Sequence, residues 1–333
     1  MIPGQFVIHL RSFQGGFAHS NVEGITSPAY TVLEFIEKEK HYDLFWKYIF
    51  NSESFVKRLE TVTYGIRDGR SISYDDFSEI TFQYPNLGEQ KRIGDVFITL
   101  DRLISLQQRE HDKTVNIKKA LFEKMFPKAG EDKPEIRFAG FTDDWEQRKL
   151  SDYLETSNEK NIDNIYFKQD VLSVSGDVGI VNQIEFQGRS FAGASVSNYW
   201  IVNIGDVVYT KSPLRSNPFG IIKTNTGKPG IVSTLYAVYH PKINVYPGFI
   251  QTYFEQNARV NKYLQPLVNK GAKNDMKVSA DNALKGLVCF PNYDEQKRIS
   301  EFFTHFDRTL TLHQRELNKL KNIKKALLEK MFV

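Results

Sequence analysis

Near the end of the chain, Phe303, Phe306, Leu310, His313, Leu317, Leu320, Lys324, Leu327 and Met331 recur at alternating spacings of three and four. That is the seam of a coiled-coil helix, and it predicts a long helix over 292–333. Phe97, Leu100, Ile104, Gln107, His111, Thr114, Lys118, Leu121 and Met125 keep the same rhythm over 86–126, with a more polar middle. Neither stretch contains proline, and Gly94 is the only glycine well inside them. About 35 residues at 1.5 Å each make a rod of roughly 50 Å. Pro85-Asn86 before Glu89-Gln90, and Pro291-Asn292 before Glu295-Gln296, mark both starts: a proline turn, then an acid where the helix dipole favours negative charge. Two such seams suit an antiparallel pairing, which would carry the preceding segments to opposite ends of a rod. Elsewhere, Asp206-Val207-Val208-Tyr209 and 230–239 predict strands, and the amphipathic run 247–264 predicts a helix. The fold class is α/β (α+β), with a long helix after each globular part.

The two helices belong to a repeat. Offset by 206, residues 84–126 align without a gap to 290–332, with 25 identities in 43 positions. The offset persists upstream: Gly24, Ile25, Ser27, Tyr30 and Val32 match Gly230, Ile231, Ser233, Tyr236 and Val238, and Gly65 matches Gly271. Similar helices beside divergent globular parts suggest a shared scaffold facing different ligands. The second unit begins near Trp145, after a connector over 127–144 rich in proline, glycine and charge. Shifted by 206, Trp145 falls about 61 positions before residue 1, so the first copy is read as shortened at its front. A shortened or exchanged allele, or half of a split gene, would account for that.

Composition narrows the function classes. With one cysteine, Cys289, and seven scattered histidines, neither a disulfide nor a Cys/His zinc site is expected. Met1-Ile2-Pro3-Gly4-Gln5-Phe6 lacks a basic stretch followed by an apolar one, and no apolar run approaches a membrane span, so a soluble, cytoplasmic chain is expected. A net charge of +4 permits a nucleic-acid partner, and its distribution says more. Residues 145–186 carry 4 Lys+Arg against 8 Asp+Glu, whereas 187–277 carry 11 against 3 with twelve aromatics interleaved. Basic, aromatic-rich surface is the footprint of nucleic-acid binding, because cations release counterions from phosphate.

The reach comes from loops. Lys211-Ser212-Pro213-Leu214-Arg215-Ser216-Asn217-Pro218 holds two cations and an amide on a stretch its prolines keep from being helical. Arg and Asn are the side chains that pair bidentately with guanine and adenine. Lys211, Arg215 and Asn217 are therefore candidate DNA contacts, with Lys223 beyond them. Lys270, Lys273 and Lys277 make a second candidate loop, matched in the first copy by Arg67 and Arg70, and Arg11 is the remaining candidate. These loops contact phosphate, or they are polar turns with solvated cations. Lys118-Lys119 and Lys324-Lys325 read as solvated or as complements to a helix C-terminus, with DNA-backbone contact the lesser alternative. His111 and His313 lie on the seams without a companion ligand at helical spacing, which suits hydrogen bonding across a helix pair better than metal binding.

Catalytic patterns are missing from the sequence. Ser216-Asn217-Pro218-Phe219 lacks a proline of the amine-methylating loop, and no Gly-rich cofactor loop precedes it. Thr226-Gly227-Lys228-Pro229 lacks Walker spacing, and Asp206 with Lys211 has no second acid for a metal nuclease. Binding is indicated, with no enzyme activity in this chain and no cofactor of its own.

With the repeat, the Pro-Asn-x-x-Glu-Gln-Lys-Arg-Ile entry and the divergent basic domains in hand, the chain resembles type I restriction-modification specificity subunits. The run Pro134-Glu135-Ile136-Arg137-Phe138-x-Gly140-Phe141-x-x-x-Trp145-Glu146-Gln147-Arg148-Lys149-Leu150 is also similar to that family. The resemblance implies target-recognition domains at 1–85 (partial) and 145–291, long helices at 86–126 and 292–333 paired as an antiparallel coiled coil, and a linker at 127–144. It implies double-stranded DNA with a bipartite target, two methyltransferase subunits docked on the helices, and restriction/translocase subunits in the holoenzyme. S-adenosylmethionine, ATP and magnesium would belong to those partners. The shortened front puts reading of the first half-site in doubt. The alternative is a coiled-coil interaction scaffold without sequence-specific DNA recognition.

Overall fold

The computed structural model describes residues 1–8, 17–28, 30–61, 74–128, 130–214, 216–268 and 278–332, which divide into two compact units. Unit 1 comprises 1–115 with 309–333, and unit 2 comprises 116–308. Each therefore contains one globular part and a stretch of both long helices.

In unit 1, β1 (Phe6–Ile8) lies between β2 (Ala18–His19) and β3 (Thr31–Leu33), antiparallel to both. Helices α1 (Asp43–Ile49), α2 (Glu53–Thr61) and α3 (Tyr74–Ser78) follow, then α4 (Leu87–Lys124). The core is rich in aromatics, with Phe6, Phe17, Phe45, Trp46, Phe50, Phe55 and Phe97 buried beside Ile8, Ile49, Leu59 and Ile93. Early α4 crosses α1 closely at Gly94, where a Cβ would come within 2.8 Å of Tyr42 Cε1 and 3.1 Å of Phe45 N. The last turns of α9 (Tyr293–Met331) complete the unit, with the Phe332 ring 5.4 Å from Phe97 and 5.6 Å from Phe45.

Unit 2 holds the larger globular part. Its strands are β4 (Glu146–Lys149), β5 (Leu154–Thr156), β6 (Leu172–Ser175), β7 (Gly179–Asn182), β8 (Trp200–Val202), β9 (Val207–Thr210), β10 (Ile222–Thr224), β11 (Gly230–Val232), β12 (Tyr236–Pro241) and β13 (Leu287–Phe290). Interspersed are α5 (Gln183–Gln187), α6 (Pro247–Tyr253), α7 (Asn257–Leu264) and α8 (Ala280–Ala283). The main sheet has the order β10-β9-β12-β5, and β11-β8, β13-β4 and β6-β7 pair beside it. All these pairings are antiparallel, so the α+β form of the expected class is the one observed. Every residue of β9 is buried, as befits an apolar run covered on both faces. The order β2-β1-β3 in unit 1 repeats β10-β9-β12 in unit 2.

Two elements differ from the sequence expectation. The strand read over 230–239 breaks into β11 and β12, because Ser233 turns the chain: its Oγ accepts from Leu235 N and its carbonyl from Tyr236 N. The helix read over 247–264 breaks into α6 and α7 at Gln256, whose ψ of 123° is extended. This break leaves Phe254 and Val260 both in the core while Glu255 reaches Lys118.

The helix entries are built alike. Asn86 and Asn292 cap them, their Oδ1 accepting from Glu89 N (3.1 Å) and Glu295 N (3.0 Å). Gln90 is fully buried, accepting from Tyr42 N and donating to the carbonyls of Lys40 and Pro85. Gln296 accepts from Tyr246 N and donates to Asn244 and Pro291. The burial pattern follows the predicted seams: every seam position on α4 is buried or half-buried, and on α9 only Met331 is exposed. Within unit 2, late α4 meets early α9, with the Phe122 ring 4.8 Å from Phe303 and Lys118 paired with Glu255 and Asp307. Within unit 1, Lys324 pairs with Asp101. The solvated reading of Lys118 and Lys324 is thus corrected: both sit on the seam and find carboxylates there. No helix among the described residues is long and apolar enough to cross a membrane.

Candidate nucleic-acid interface

The best-formed candidate is the loop joining β9 to β10. Gly220 closes it at φ +95°, where a Cβ would lie 1.9 Å from the Thr210 carbonyl oxygen, so no other residue fits. Leu214 and Asn217 exchange backbone hydrogen bonds of 3.0 and 3.1 Å. Two asparagines of α7 clamp the loop: Asn257 Oδ1 accepts from Asn217 Nδ2 at 2.9 Å, and Asn261 Nδ2 donates to Ser216 O at 3.0 Å. Tyr209 OH donates to Phe219 O at 2.6 Å, and burial raises the pKa of that phenol. The result is a stapled loop whose Leu214 and Ser216 face solvent.

The sequence candidates divide sharply. Lys211 is half-buried and donates to Thr234 O at 2.8 Å, and desolvation lowers its pKa. An ammonium has three donors, so two remain for an outside acceptor. Asn217 is only 5% exposed and its Nδ2 donates to Asn257, so it shapes the loop from the interior and does not present its amide to a base. Lys223 is 8% exposed on β10. Burial lowers its pKa, with Glu255 and Asp307 pulling the other way, so it is an interior cation of the sheet and not a phosphate contact. Arg215, Lys270, Lys273, Lys277, Arg11, Arg67 and Arg70 lie outside the described residues.

Other cations are presented in ways the sequence reading passed over. The Arg189 guanidinium stands 4.6 Å from the centre of the exposed Phe191 ring, and Lys160 Nζ stands 5.1 Å from that of Trp200. The Arg-Ser-Phe spacing at 189–191 was a usable signal. Lys160 was hidden by its place in the acidic half.

The acids and the thiol have identifiable structural uses. Asp206 accepts from Asn203 N at 2.7 Å and lies 2.8 Å from His240 Nδ1, stapling the turn into β9. Burial raises the Cys289 pKa, disfavouring the thiolate. No His/Cys/Asp/Glu group that could hold a metal occurs among the described residues. A cleft of about 990 Å³ in unit 2 is lined by Trp145, Tyr253, Arg259, Lys262 and Cys289 together with Glu131. Arg259 lies over the rings of Phe126 and Tyr253 at 4.6 and 4.8 Å, and burial lowers its pKa.

Against known proteins, residues 3–115 match the family model described as type I restriction modification DNA specificity domain. Among solved structures, the type-I restriction-modification system S subunit from M. genitalium is similar over 100% of this chain and 84% of its own, with a TM-score of 0.63 at 12% identity. A structure described as the basis of complex assembly and conformational transition of the type I R-M system is similar over 100% of this chain and 82% of its own, with a TM-score of 0.50 at 15% identity. The HsdS subunit from Thermoanaerobacter tengcongensis aligns over 100% and 81%, with a TM-score of 0.48 at 15% identity. At these identities the likeness is one of fold. No curated protein sequence matches the chain.

Proposed function

We propose, from the match of residues 3–115 to the family model described as type I restriction modification DNA specificity domain, that the chain is the DNA-reading, non-catalytic specificity subunit of a type I restriction-modification complex. The family match is the observation that carries this reading. On it, the two globular parts read the halves of a split double-stranded target. The long helices pair as an antiparallel coiled coil and dock two methyltransferase subunits, and restriction/translocase subunits complete the assembly. S-adenosylmethionine, ATP and magnesium act in those partners, in the cytoplasm.

Several features favour this reading. The described residues of the β9–β10 loop are tied down at Gly220, at Asn217 by Asn257 and at Ser216 by Asn261, and a pre-organised loop places side chains on base edges at low entropic cost. The ion pairs Lys118–Asp307 and Lys324–Asp101 stand at positions related by the repeat offset, as expected of two helices that pair through one seam in opposite directions. The test is a DNA-binding titration of the chain with its methyltransferase subunits across a salt series. Affinity falls steeply with salt, and Lys211→Ala combined with Arg215→Ala reduces both the affinity and the salt slope, the latter by about 1 for each phosphate no longer neutralised. A double variant with unchanged affinity, slope and target choice rejects the loop, and salt-independent binding rejects the DNA reading in favour of a protein-interaction scaffold.

A further inference from the structure

Arg259, in the first turn of α7, is a half-buried cation without a counter-ion among the described residues. Its guanidinium lies over the Phe126 and Tyr253 rings, with the Phe122 ring centre 5.9 Å away. Burial disfavours its charge. Tyr253 and Cys289 act the other way, and burial pushes the pKa of both upward, so neither supplies a negative charge at neutral pH. A desolvated charge is ordinarily paired, because an unpaired one forfeits its hydration.

The repeat shows that packing alone does not call for an arginine here. Tyr42 N and Tyr246 N each donate to the buried glutamine at a long-helix entry. Thirteen residues after each tyrosine stand Phe55 and Arg259, both third in their helices, α2 and α7. Phe55 is 2% exposed, with the rings of Phe17, Phe50 and Phe82 around it. Unit 1 fills this position with a ring, and unit 2 fills it with five N–H donors. Arg259 lines the cleft of about 990 Å³ between the end of α4, the connector, α7 and β13. Trp145 lines it as well: it is 3% exposed, and its buried indole Nε1 has no hydrogen-bond partner among the described residues. Buried indole N–H groups ordinarily find an acceptor.

We propose that this cleft binds a small organic carboxylate with an apolar body and a second acceptor, the carboxylate taking the Arg259 fork and the acceptor taking Trp145 Nε1. A guanidinium packed on two rings presents its fork in a fixed plane, which a carboxylate meets bidentately. Glu123, Glu131 and Asp132 in the lining disfavour a phosphate monoester, which carries nearly two negative charges at neutral pH. The volume is at the upper end for small-molecule sites, so the body is as large as an aromatic amino acid derivative or the last residues of a polypeptide. The site is separate from the β9–β10 loop, and the inference does not rest on the DNA-reading role.

N-acetylphenylalanine, which carries a carboxylate, a carbonyl acceptor and a ring, is the probe, titrated into the full chain by calorimetry. A dissociation constant on the order of 100 µM is expected. The uncharged N-acetylphenylalaninamide binds at least about 10-fold more weakly, and so does the acid to Arg259→Met, since each loses the charge-assisted pair. Arg259→Lys falls between, keeping the charge without the fork. Methionine packs well against rings, so the Arg259→Met chain keeps the parent melting curve. In the parent chain the acid also slows alkylation by N-ethylmaleimide of Cys289, the only cysteine and part of the cleft wall, which tests the site without a substitution. An acetylated tripeptide ending in phenylalanine separates the sources of such a carboxylate: tighter binding than the acid assigns the cleft to a polypeptide C-terminus, and equal or weaker binding assigns it to a free acid. Equal binding of acid and amide, or competition by inorganic phosphate as strong as by the acid, overturns the proposal. So does unchanged affinity in Arg259→Met, or no saturable binding with Cys289 alkylated at the same rate.

Discussion

Arg137→Ala is expected to destabilise unit 2 more than any other single change to the connector. Arg137 makes two charge-assisted hydrogen bonds of 2.7 Å to Glu295, a carboxylate with 0% exposure, while its own side chain is 13% exposed. That hydrogen-bonded pairing also raises the arginine pKa against a smaller opposing effect of burial. Removing one member of a buried pair costs about 3–5 kcal/mol, because the other is left charged and dry. Glu295 lies in the first turn of α9, where the helix dipole returns about 0.3–1 kcal/mol, leaving a net cost of about 2–5 kcal/mol. In a unit of this size each kcal/mol shifts the transition by about 2–4 °C, so the melt moves down by about 4–20 °C. Calorimetry on the full chain resolves this. Arg137→Lys keeps the charge but not the fork and falls in between. Arg137→Met with Glu295→Met recovers most of the loss, since apolar replacement of a whole buried pair is often near neutral. Glu89→Ala, at the exposed counterpart, shifts stability by no more than about 0.5 kcal/mol. An Arg137→Ala chain melting within about 2 °C of the parent, or a double variant as unstable as the single, refutes the reasoning.

Lys118→Met should cost more than Lys324→Met although the two share sequence context, because the Lys118 side chain is 11% exposed with two carboxylate partners and that of Lys324 is 26% exposed with one. Paired thermal melts measure the difference. Burial opposes the Lys118 charge, but Glu255 and Asp307 outweigh it and raise the pKa above its ordinary 10.5. A raised folded-state pKa gives stability that is complete below 10.5 and lost as pH climbs through the higher folded value, so the parent loses stability there and Lys118→Met follows a flatter alkaline curve. Gly94→Ala should destabilise unit 1 in denaturant titrations, since the strain of a Cβ 2.8 Å from the Tyr42 ring, about 1–3 kcal/mol, exceeds the gain of roughly 1 kcal/mol in helix propensity. A neutral or stabilised alanine variant would show that α1 can shift away.

The long helices were legible because a three-and-four spacing over many turns has few other solutions, and their observed ends, Leu87–Lys124 and Tyr293–Met331, fall within two residues of those predicted. The β9–β10 loop was legible from its prolines. The fate of individual polar groups was not. Lys223 and Asn217 look like surface contacts in a basic stretch, but a strand alternates faces, and a loop asparagine can serve its own fold. Gln90 and Gln296 read as ordinary helix-start residues, yet they satisfy carbonyls and an amide from chain segments about fifty positions away. The Arg137–Glu295 pair spans 158 positions and follows no local pattern. Periodicity reports which face is buried, whereas pairing across the fold depends on contacts the spacing does not encode.

The central claim is that this chain chooses the DNA sequence its partners modify. Single-molecule sequencing of methylated adenines, in cells carrying the chain with its methyltransferase subunits, measures that choice directly. The account predicts one split motif with a fixed gap that disappears when the chain is deleted and changes in one half when 145–291 is exchanged for another domain. Methylation that persists unchanged without the chain, or a motif indifferent to the exchange, would contradict it.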